Sequence, residues 1–520
     1  MPDLLSMYAA AQPDKPAVID DRGSEGILCW TYAQLEAEAN RLANALASVG
    51  VGPGDKVIWC GPNSPRVVAV INATRKIGAV AVPLNYRLTA EEAQYIIVHS
   101  DATAAYVDAD YAHLFATPDD EQLGNLGCVT VFDGAPPAGM LSDDLVTAAS
   151  AEPPAEEAPG AEGTGATMIY TSGTTGKPKG AYRNMTDQST AIALIGFVGY
   201  TPEDVYLTSG PLYHSGPGAF MAVGLALGQT IILQRKFDPE DWLRLVDTYK
   251  VSSTFSAPPL IRLVCALPAE VKARYDRSSM KRMLANAAPW SFALKQAYLA
   301  DFPADSLWEI YGSTELGVNC VLEPKDQLRK PGSCGKPAPG VEISLLDADG
   351  NEVTGTGPDH AGELYVRSTG VFNEYYKQPD SYEASRHGDF HTVGDIAYRD
   401  DEGYYYICDR KNDMIISGGM NVYPAEIEAA LEVHPGVFDV AVFGIPSDQW
   451  GEQVHATVVR APGASLSEAD VTAFARQHLA TYKVPRSVSF TEELPRTGSG
   501  KLLKRQLRAP YWAGRATKVG

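Results

Sequence analysis

Long apolar runs are missing from this sequence. The longest, around Gly216–Gly228, falls short of the roughly 18 residues a membrane span needs, so no integral membrane segment is expected. Cysteine is sparse: seven residues (29, 60, 128, 265, 320, 334, 408), with no C-x-x-C and no paired spacing. That excludes a disulfide framework and a zinc site and suits a reducing compartment. Basic residues are in deficit, 43 Lys and Arg against 64 Asp and Glu, for a net charge of −21. Nucleic acid and anionic membrane surfaces are therefore not expected as main partners. The start, Met1-Pro-Asp-Leu-Leu-Ser-Met7, lacks the basic and apolar regions of a secretory leader, and a cytoplasmic location is expected. The common P-loop is absent too: five residues after Gly173 stands Pro178, where G-x-x-x-x-G-K-[ST] requires glycine.

What is present is ordinary globular material, 45% apolar and 21% charged over 520 residues, enough for about two to four domains. Thr31 can cap a helix carrying Leu35, Leu42 and Leu46, with Gly50 as its stop. Lys56–Trp59 reads as a strand, Arg66–Lys76 as a helix, and Ala79–Val82 as a buried strand. Thr89 with Glu92 forms a capping box before the next helix, and Ala104–Val107 is again a strand. Such alternation predicts parallel sheets covered by helices. Residues 150–165 have almost nothing to bury and read as a connector. From 341 to 407, strand-like runs separated by Asp-Gly and Gly-Pro turns predict a β-rich subdomain. Beyond Asp409 a compact unit follows: a helix from Pro424 to Glu432, strands at Val440–Phe443 and His455–Val459, and a helix from Ser467. The expected fold class is α/β, with a large N-terminal domain (1–409), a hinge (410–412) and a small mobile α+β domain (413–520).

The most particular stretch is Tyr170-Thr-Ser-Gly-Thr-Thr-Gly-Lys-Pro-Lys-Gly180. Its glycines and proline interrupt both strand and helix. Its backbone N–H groups, hydroxyls and lysines can converge on one anion. It resembles the signature loop of the adenylate-forming superfamily, which includes acyl-CoA synthetases, aryl-CoA ligases, luciferases and peptide-synthetase adenylation domains. Six further segments resemble that superfamily's motifs in order and approximate spacing, and the resemblance runs from Gln12 to Lys501.

The resemblance implies roles for particular residues. Thr171, Ser172, Gly173, Thr174, Thr175, Gly176 and Lys179 would hold the β- and γ-phosphates of ATP. His214, in Pro211-Leu-Tyr-His-Ser215, would lie between nucleotide and acyl pocket; taken alone it is a core or surface histidine. Ala287, Ala288 and Pro289 would line the adenine edge. In Tyr311-Gly-Ser-Thr-Glu315, Tyr311 would stack on adenine and Gly312 would give backbone access to the acyl phosphate. Ser313 and Thr314 would offer hydroxyls, and Glu315, with Thr175, would hold Mg²⁺. Asp395 would accept the ribose hydroxyls, although Val393 interrupts the usual His-Thr-Gly-Asp. His387 and His391 stand at i, i+4, a metal-binding spacing only on a helix. Arg410 would bind ribose or phosphate, and Asn412 would be the pivot, where Asp or Lys is more usual. Ser417, Gly418 and Gly419 would flank the pantetheine tunnel. Lys501, in Leu494-Pro-Arg-Thr-Gly-Ser-Gly-Lys501, would reach across to the reacting carboxylate and phosphate.

The implied activity is an ATP-dependent acyl-CoA synthetase joining a carboxylic acid to coenzyme A through an acyl-adenylate. The small-residue tract after His214, read either as a core helix or as a tunnel wall, points to a fatty or bulky apolar acid. Alternatives are an acyl-AMP ligase loading a carrier protein, a luciferase-like oxidase of the adenylate, and a non-catalytic nucleotide-binding regulator. Homo-oligomerisation stays open.

Overall fold

A computed structural model describes residues 3–116, 123–154, 166–171, 177–184, 187–286, 290–411, 413–418, 420–496 and 502–513, with the side chain of Asn421 also outside the described set. Within these residues the chain forms four sheets, of nine, eight, six and five strands.

The first two are helix-covered α/β layers. In the nine-stranded sheet the strands Pro16–Asp21, Thr230–Leu233, Val205–Thr208, Ser253–Ser256, Arg282–Ala285 and Leu307–Ser313 run parallel. Antiparallel strands Ile27–Thr31 and Gly317–Leu322 flank them. The eight-stranded sheet has Lys56–Cys60 between the parallel strands Val80–Leu84 and Ala102–Asp108. The local signals explain the helices between. Thr31 and Gln34 close a reciprocal capping box on Tyr32–Ser48, and Thr89 and Glu92 do so on Ala90–His99. Each box satisfies backbone donors that the first turn leaves unpaired. One apolar cluster spans both layers, from Leu35 and Val67 to Ile231 and Ile310.

The expected β-rich unit is the six-stranded sheet containing Glu342–Leu346, Gly362–Arg367, Asp395–Arg399 and Tyr405–Arg410. The five-stranded sheet starts at Ile415–Ser417 and is covered by helices Pro424–Glu432 and Glu468–His478, around a separate apolar cluster that includes Ile427, Val442 and Val454.

Two readings are refined. The connector does not begin loose: Asn44 Nδ2 donates to the carbonyls of Ser150 and Glu152, each at 2.9 Å. The remainder, 155–165, lies outside the described residues. The tract after His214 is the helix Ser215–Ala226, and its glycines are accounted for by packing. A Cβ at Gly216 would meet the Phe255 ring at 2.3 Å, one at Gly218 the Leu212 carbonyl at 2.8 Å, and one at Gly224 the Ile231 side chain at 2.7 Å. These three glycines are small because protein packs against them, yet the helix also lines a cavity of 1990 Å³ through Gly216, Gly218, Ala219 and Ala222, so the core-helix and tunnel-wall readings both hold.

Candidate active site

Strands Thr167–Thr171 and Lys179–Arg183 pair antiparallel, and Thr171 and Lys179 are cross-strand partners. The expectation that the whole stretch 170–180 interrupts strand structure is thereby corrected. Tyr170 and Thr171 end one strand, and Lys179 and Gly180 begin the next, because ladder pairing holds them in extended backbone. Ser172, Gly173, Thr174, Thr175 and Gly176 lie outside the described residues. Lys179 Nζ donates to Ser381 Oγ at 3.1 Å and stands 5.0 Å above the Tyr375 ring.

Glu315 is a meeting point for residues distant in sequence. It is buried, and its Oε1 accepts from Thr171 Oγ1 at 2.9 Å and from Tyr375 Oη at 3.2 Å. Its own carbonyl accepts from Phe372 N at 2.7 Å. Arg183, on the strand after the loop, donates to the Thr314 carbonyl at 2.6 Å. Burial pulls the Arg183 guanidinium down to about 10, with the Glu315 charge opposing that shift. Thr314 Oγ1 lies 2.9 Å from Ser215 Oγ, which joins this turn to the histidine segment.

His214 is the N-cap residue of Ser215–Ala226, in extended backbone, and its carbonyl accepts from Gly218 N at 3.1 Å. Its ring lies 4.4 Å from that of Tyr213. The turn before it is pinned by Asn63, whose Oδ1 accepts from Leu212 N at 2.9 Å and whose Nδ2 donates to the Gly210 carbonyl at 3.0 Å. Thr171, His214, Gly312 and Thr314 line one cavity of 1990 Å³, with Phe220 and Phe255 on its apolar side.

Tyr311, Asp395 and Arg410 form the second cluster. Tyr311 Oη donates to Asp395 Oδ2 at 2.5 Å, and Arg410 Nε lies 3.3 Å from Asp395 Oδ1. Asp395 and Arg410 are cross-strand partners, so backbone register alone brings acid and base together. Gly394, at φ +81°, makes the turn that starts the Asp395 strand, and Val393 packs against the main core. Gly312 sits where the ladder bulges, and a Cβ there would lie 2.1 Å from the Gly317 carbonyl oxygen. Ser313 Oγ accepts from Leu316 N at 3.0 Å, fixing the turn towards Glu315. Ala287, Ala288 and Pro289 lie outside the described residues. His387 and His391 occupy the paired short strands Arg386–His387 and Phe390–His391, not a helix, which removes the geometry of a metal pair.

At the entry to the last sheet, Asp409 Oδ1 accepts from Arg410 N at 2.7 Å and Oδ2 from Ala425 N at 3.0 Å. Asn412 and Gly419 lie outside the described residues. Ser417 is buried and pairs with Gly451. Gly418, at φ +60°, donates its N–H to the Trp450 carbonyl at 2.8 Å; a Cβ there would meet the indole at 2.8 Å. Lys501 also lies outside the described residues, but both ends of its segment are fixed. Arg496 bridges to Leu502, and Leu503 N donates to the Pro495 carbonyl at 2.8 Å. Arg496 and Leu503 line the same 1990 Å³ cavity as His214 and Thr171.

Sequence reasoning passed over Arg183, Tyr375 and Asn63. Arg183 carried a signal, a second cation on the short strand Lys179–Arg183 that follows the glycine-rich stretch. Tyr375 and Asn63 carried none, since their importance comes from chain segments far away in sequence. Among the described residues no group of three or more His, Cys, Asp or Glu could cage a metal ion. A single carboxylate, Glu315, suits Mg²⁺, which is commonly held by one or two carboxylates together with substrate phosphates.

Two family models cover most of the chain: AMP-binding enzyme matches residues 5–376, and AMP-binding enzyme C-terminal domain matches residues 426–501. A feruloyl-CoA synthase of an Amycolatopsis species is 36% identical over 487 residues, 92% of this chain and 94% of the relative. A fatty acid–[acyl-carrier-protein] ligase of Streptomyces coeruleorubidus is 33% identical over 525 residues, 99% and 97% of the two chains. The solved structure of o-succinylbenzoate CoA synthetase from Bacillus subtilis, in complex with its acyl-adenylate intermediate, superposes with a TM-score of 0.81 at 28% identity, covering 98% of each chain. This chain belongs to the AMP-binding enzyme family, as one of its AMP-forming acyl- and aryl-CoA ligases.

Proposed function

We propose that the chain activates a bulky apolar carboxylic acid, a fatty or arylalkenoic acid, with ATP and transfers the acyl group to the thiol of coenzyme A. The observation that carries this reading is convergence. Thr171, Thr314 and His214 face one cavity, Glu315 is hydrogen-bonded to Thr171 beside it, and the base of the Lys501 segment closes on it. The support for a bulky acid comes from the apolar wall that Phe220, Phe255 and the helix Ser215–Ala226 give the cavity, not from its total volume, which the nucleotide also has to occupy. The relatives named above act, by their names, on a cinnamic-type acid and on fatty acids, which agrees with that wall.

In the first half-reaction a carboxylate oxygen attacks the α-phosphorus; the new O–P bond forms as the bond to the bridging oxygen breaks and pyrophosphate leaves. Both reactants are anions, so the chain's task is placement and charge compensation. Asp395, oriented by Tyr311 and Arg410, would hold the ribose. Lys179 and the Thr171–Gly176 segment would grip the outer phosphates, and Lys501 would bridge carboxylate and α-phosphate. Glu315 and Thr175 are the residues that would hold Mg²⁺, which neutralises phosphate charge. In the second half-reaction the thiol sulfur attacks the acyl carbon and AMP leaves. Lys501 then obstructs the thiol's path, so a unit of residues 413–520 would turn about residues 410–412, exposing Ser417–Gly419 to the pantetheine arm.

The decisive test is a carboxylic-acid panel with ATP, Mg²⁺ and either CoA or a phosphopantetheinyl carrier protein, reading AMP release with and without the thiol. CoA-dependent turnover is expected; turnover with carrier protein alone would establish the acyl-AMP ligase alternative. Lys501→Ala should lower ATP–pyrophosphate exchange by ~10² or more, on the scale of one preorganised electrostatic contact, while largely sparing thioester formation from supplied acyl-adenylate. Undiminished exchange would refute the role of Lys501.

A further inference from the structure

Arg262 belongs to none of the motifs above. It lies on the helix Pro258–Cys265, which packs in the nine-stranded layer, yet its partners belong to the last sheet. Nη1 donates to the Phe438 carbonyl at 2.7 Å, and Nη2 lies 3.7 Å from Glu432 Oε1. Glu432 is the final residue of Pro424–Glu432, and Phe438 lies on the strand Val437–Ser447. One guanidinium therefore grips both a helix end and the strand after it.

The contact leads towards the lysine segment. The residue after Phe438 is Asp439, whose Oδ2 accepts from Arg496 Nη2 at 2.7 Å. Arg496 in turn bridges to Leu502, so these two residues form a neck on either side of positions 497–501 in the sequence, Lys501 among them. Glu432 also feels both Asp439 and Arg496 electrostatically, and burial raises its carboxyl while Arg262 opposes the rise. Arg262, Phe438, Asp439 and Arg496 thus form a continuous path from the front layers to that neck. Arg262 is half-buried and hydrogen-bonded to a carbonyl, which makes its contact directional rather than a diffuse surface attraction.

We propose that Arg262 is a positioning residue for the first half-reaction: it holds the last sheet in the orientation that presents the Lys501 segment to the cavity, and releases it for the second. The inference rests on the acyl-CoA ligase reading above and adds to it the device that holds one pose. An arginine on the front layers cannot keep both partners if the last sheet turns about 410–412. Its contribution therefore belongs to one pose, and its loss should divide the two half-reactions.

The experiment measures ATP–pyrophosphate exchange and, separately, acyl-CoA formation from supplied acyl-adenylate, for wild type, Arg262→Ala and Arg262→Lys. Arg262→Ala should lower kcat of exchange about tenfold, as for loss of one charge-assisted hydrogen bond, with KM for ATP unchanged. Thioester formation should be equal to wild type or faster. Arg262→Lys, which can still donate to the Phe438 carbonyl, should recover part of the exchange rate and serves as the folded control if Arg262→Ala melts early. Equal losses in both half-reactions, or no loss in either, would overturn the proposal. Absence of exchange in wild type with every acid would instead count against the ligase reading itself.

Discussion

The phenol of Tyr311 donates to one oxygen of Asp395 at 2.5 Å while Arg410 approaches the other at 3.3 Å. Burial and the neighbouring carboxylate push the phenol well above its ordinary value, so it stays a donor at every working pH. Tyr311→Phe keeps the ring and removes only this hydrogen bond. A bond to a charged acceptor contributes about 1.5–3 kcal/mol, so KM for ATP should rise roughly ten- to hundredfold. Steady-state kinetics at saturating acid checks it. An unchanged KM would mean that the phenol does not orient Asp395 for the nucleotide.

Gly312 is constrained by the opposite strand rather than by a left-handed backbone. The strand Gly317–Leu322 passes so close that a methyl group would overlap the Gly317 carbonyl. Gly312→Ala must therefore displace backbone between Tyr311 and Glu315. Misplacement of this order costs catalysis about 10². Exchange activity should fall by that factor while the far-ultraviolet circular dichroism stays native; retained activity would show that the bulge can absorb a side chain.

The layered α/β architecture was legible because its signals are local: caps at Thr31 and Thr89, short β-branched runs, and Pro424 at the start of a helix ending at Glu432. The site was legible only as a set of separate motifs. That Thr171 meets Glu315, or Tyr311 meets Asp395, is a property of strand order, which no spacing along the chain encodes. The tract after His214 is both things its sequence allowed: Gly216, Gly218 and Gly224 pack against Phe255, Leu212 and Ile231, and the same helix lines the cavity. Asn63 and Tyr375 were invisible because each acts on a segment far along the chain.

Arg183 tests how far the turn at Thr314–Glu315 depends on one cation. Arg183→Met retains much of the side-chain volume and removes donors to the Thr314 and Glu315 carbonyls. The Glu315 carbonyl keeps its bond from Phe372 N, so the Thr314 carbonyl is the acceptor that loses its donor, at about 1–3 kcal/mol, and the Glu315 carboxylate also loses its nearby positive charge. Stability from urea unfolding should drop by about 1–3 kcal/mol. Exchange activity should fall even where the protein is fully folded, because Glu315 would be released from its orientation. A variant as stable as wild type would show that water replaces the guanidinium without penalty.

His455 gives the last sheet a pH dependence of its own. It is buried, with Nδ1 2.7 Å from Ser487 Oγ, Nε2 3.0 Å from Ser489 Oγ, and the Tyr511 hydroxyl at 3.2 Å. Burial pulls the imidazole down to about 4 from an ordinary 6.5, with Glu468 opposing weakly. The folded-state value lies below the unfolded one, so the unfolded chain binds the extra proton first. The stability that His455 contributes is complete above pH 6.5 and is lost as pH falls towards 4. The span corresponds to at most about 3 kcal/mol at 1.36 kcal/mol per pH unit. Through Tyr511 the effect reaches the helix Lys504–Trp512, which closely follows the Lys501 segment. His455→Asn keeps polar contacts without a titrating ring. The difference between wild type and this variant in unfolding free energy should therefore change in favour of the variant between pH 6.5 and 4. A difference that stays flat across that window would show that His455 titrates alike in both states, and that its hydroxyl partners favour the imidazolium as strongly as burial opposes it.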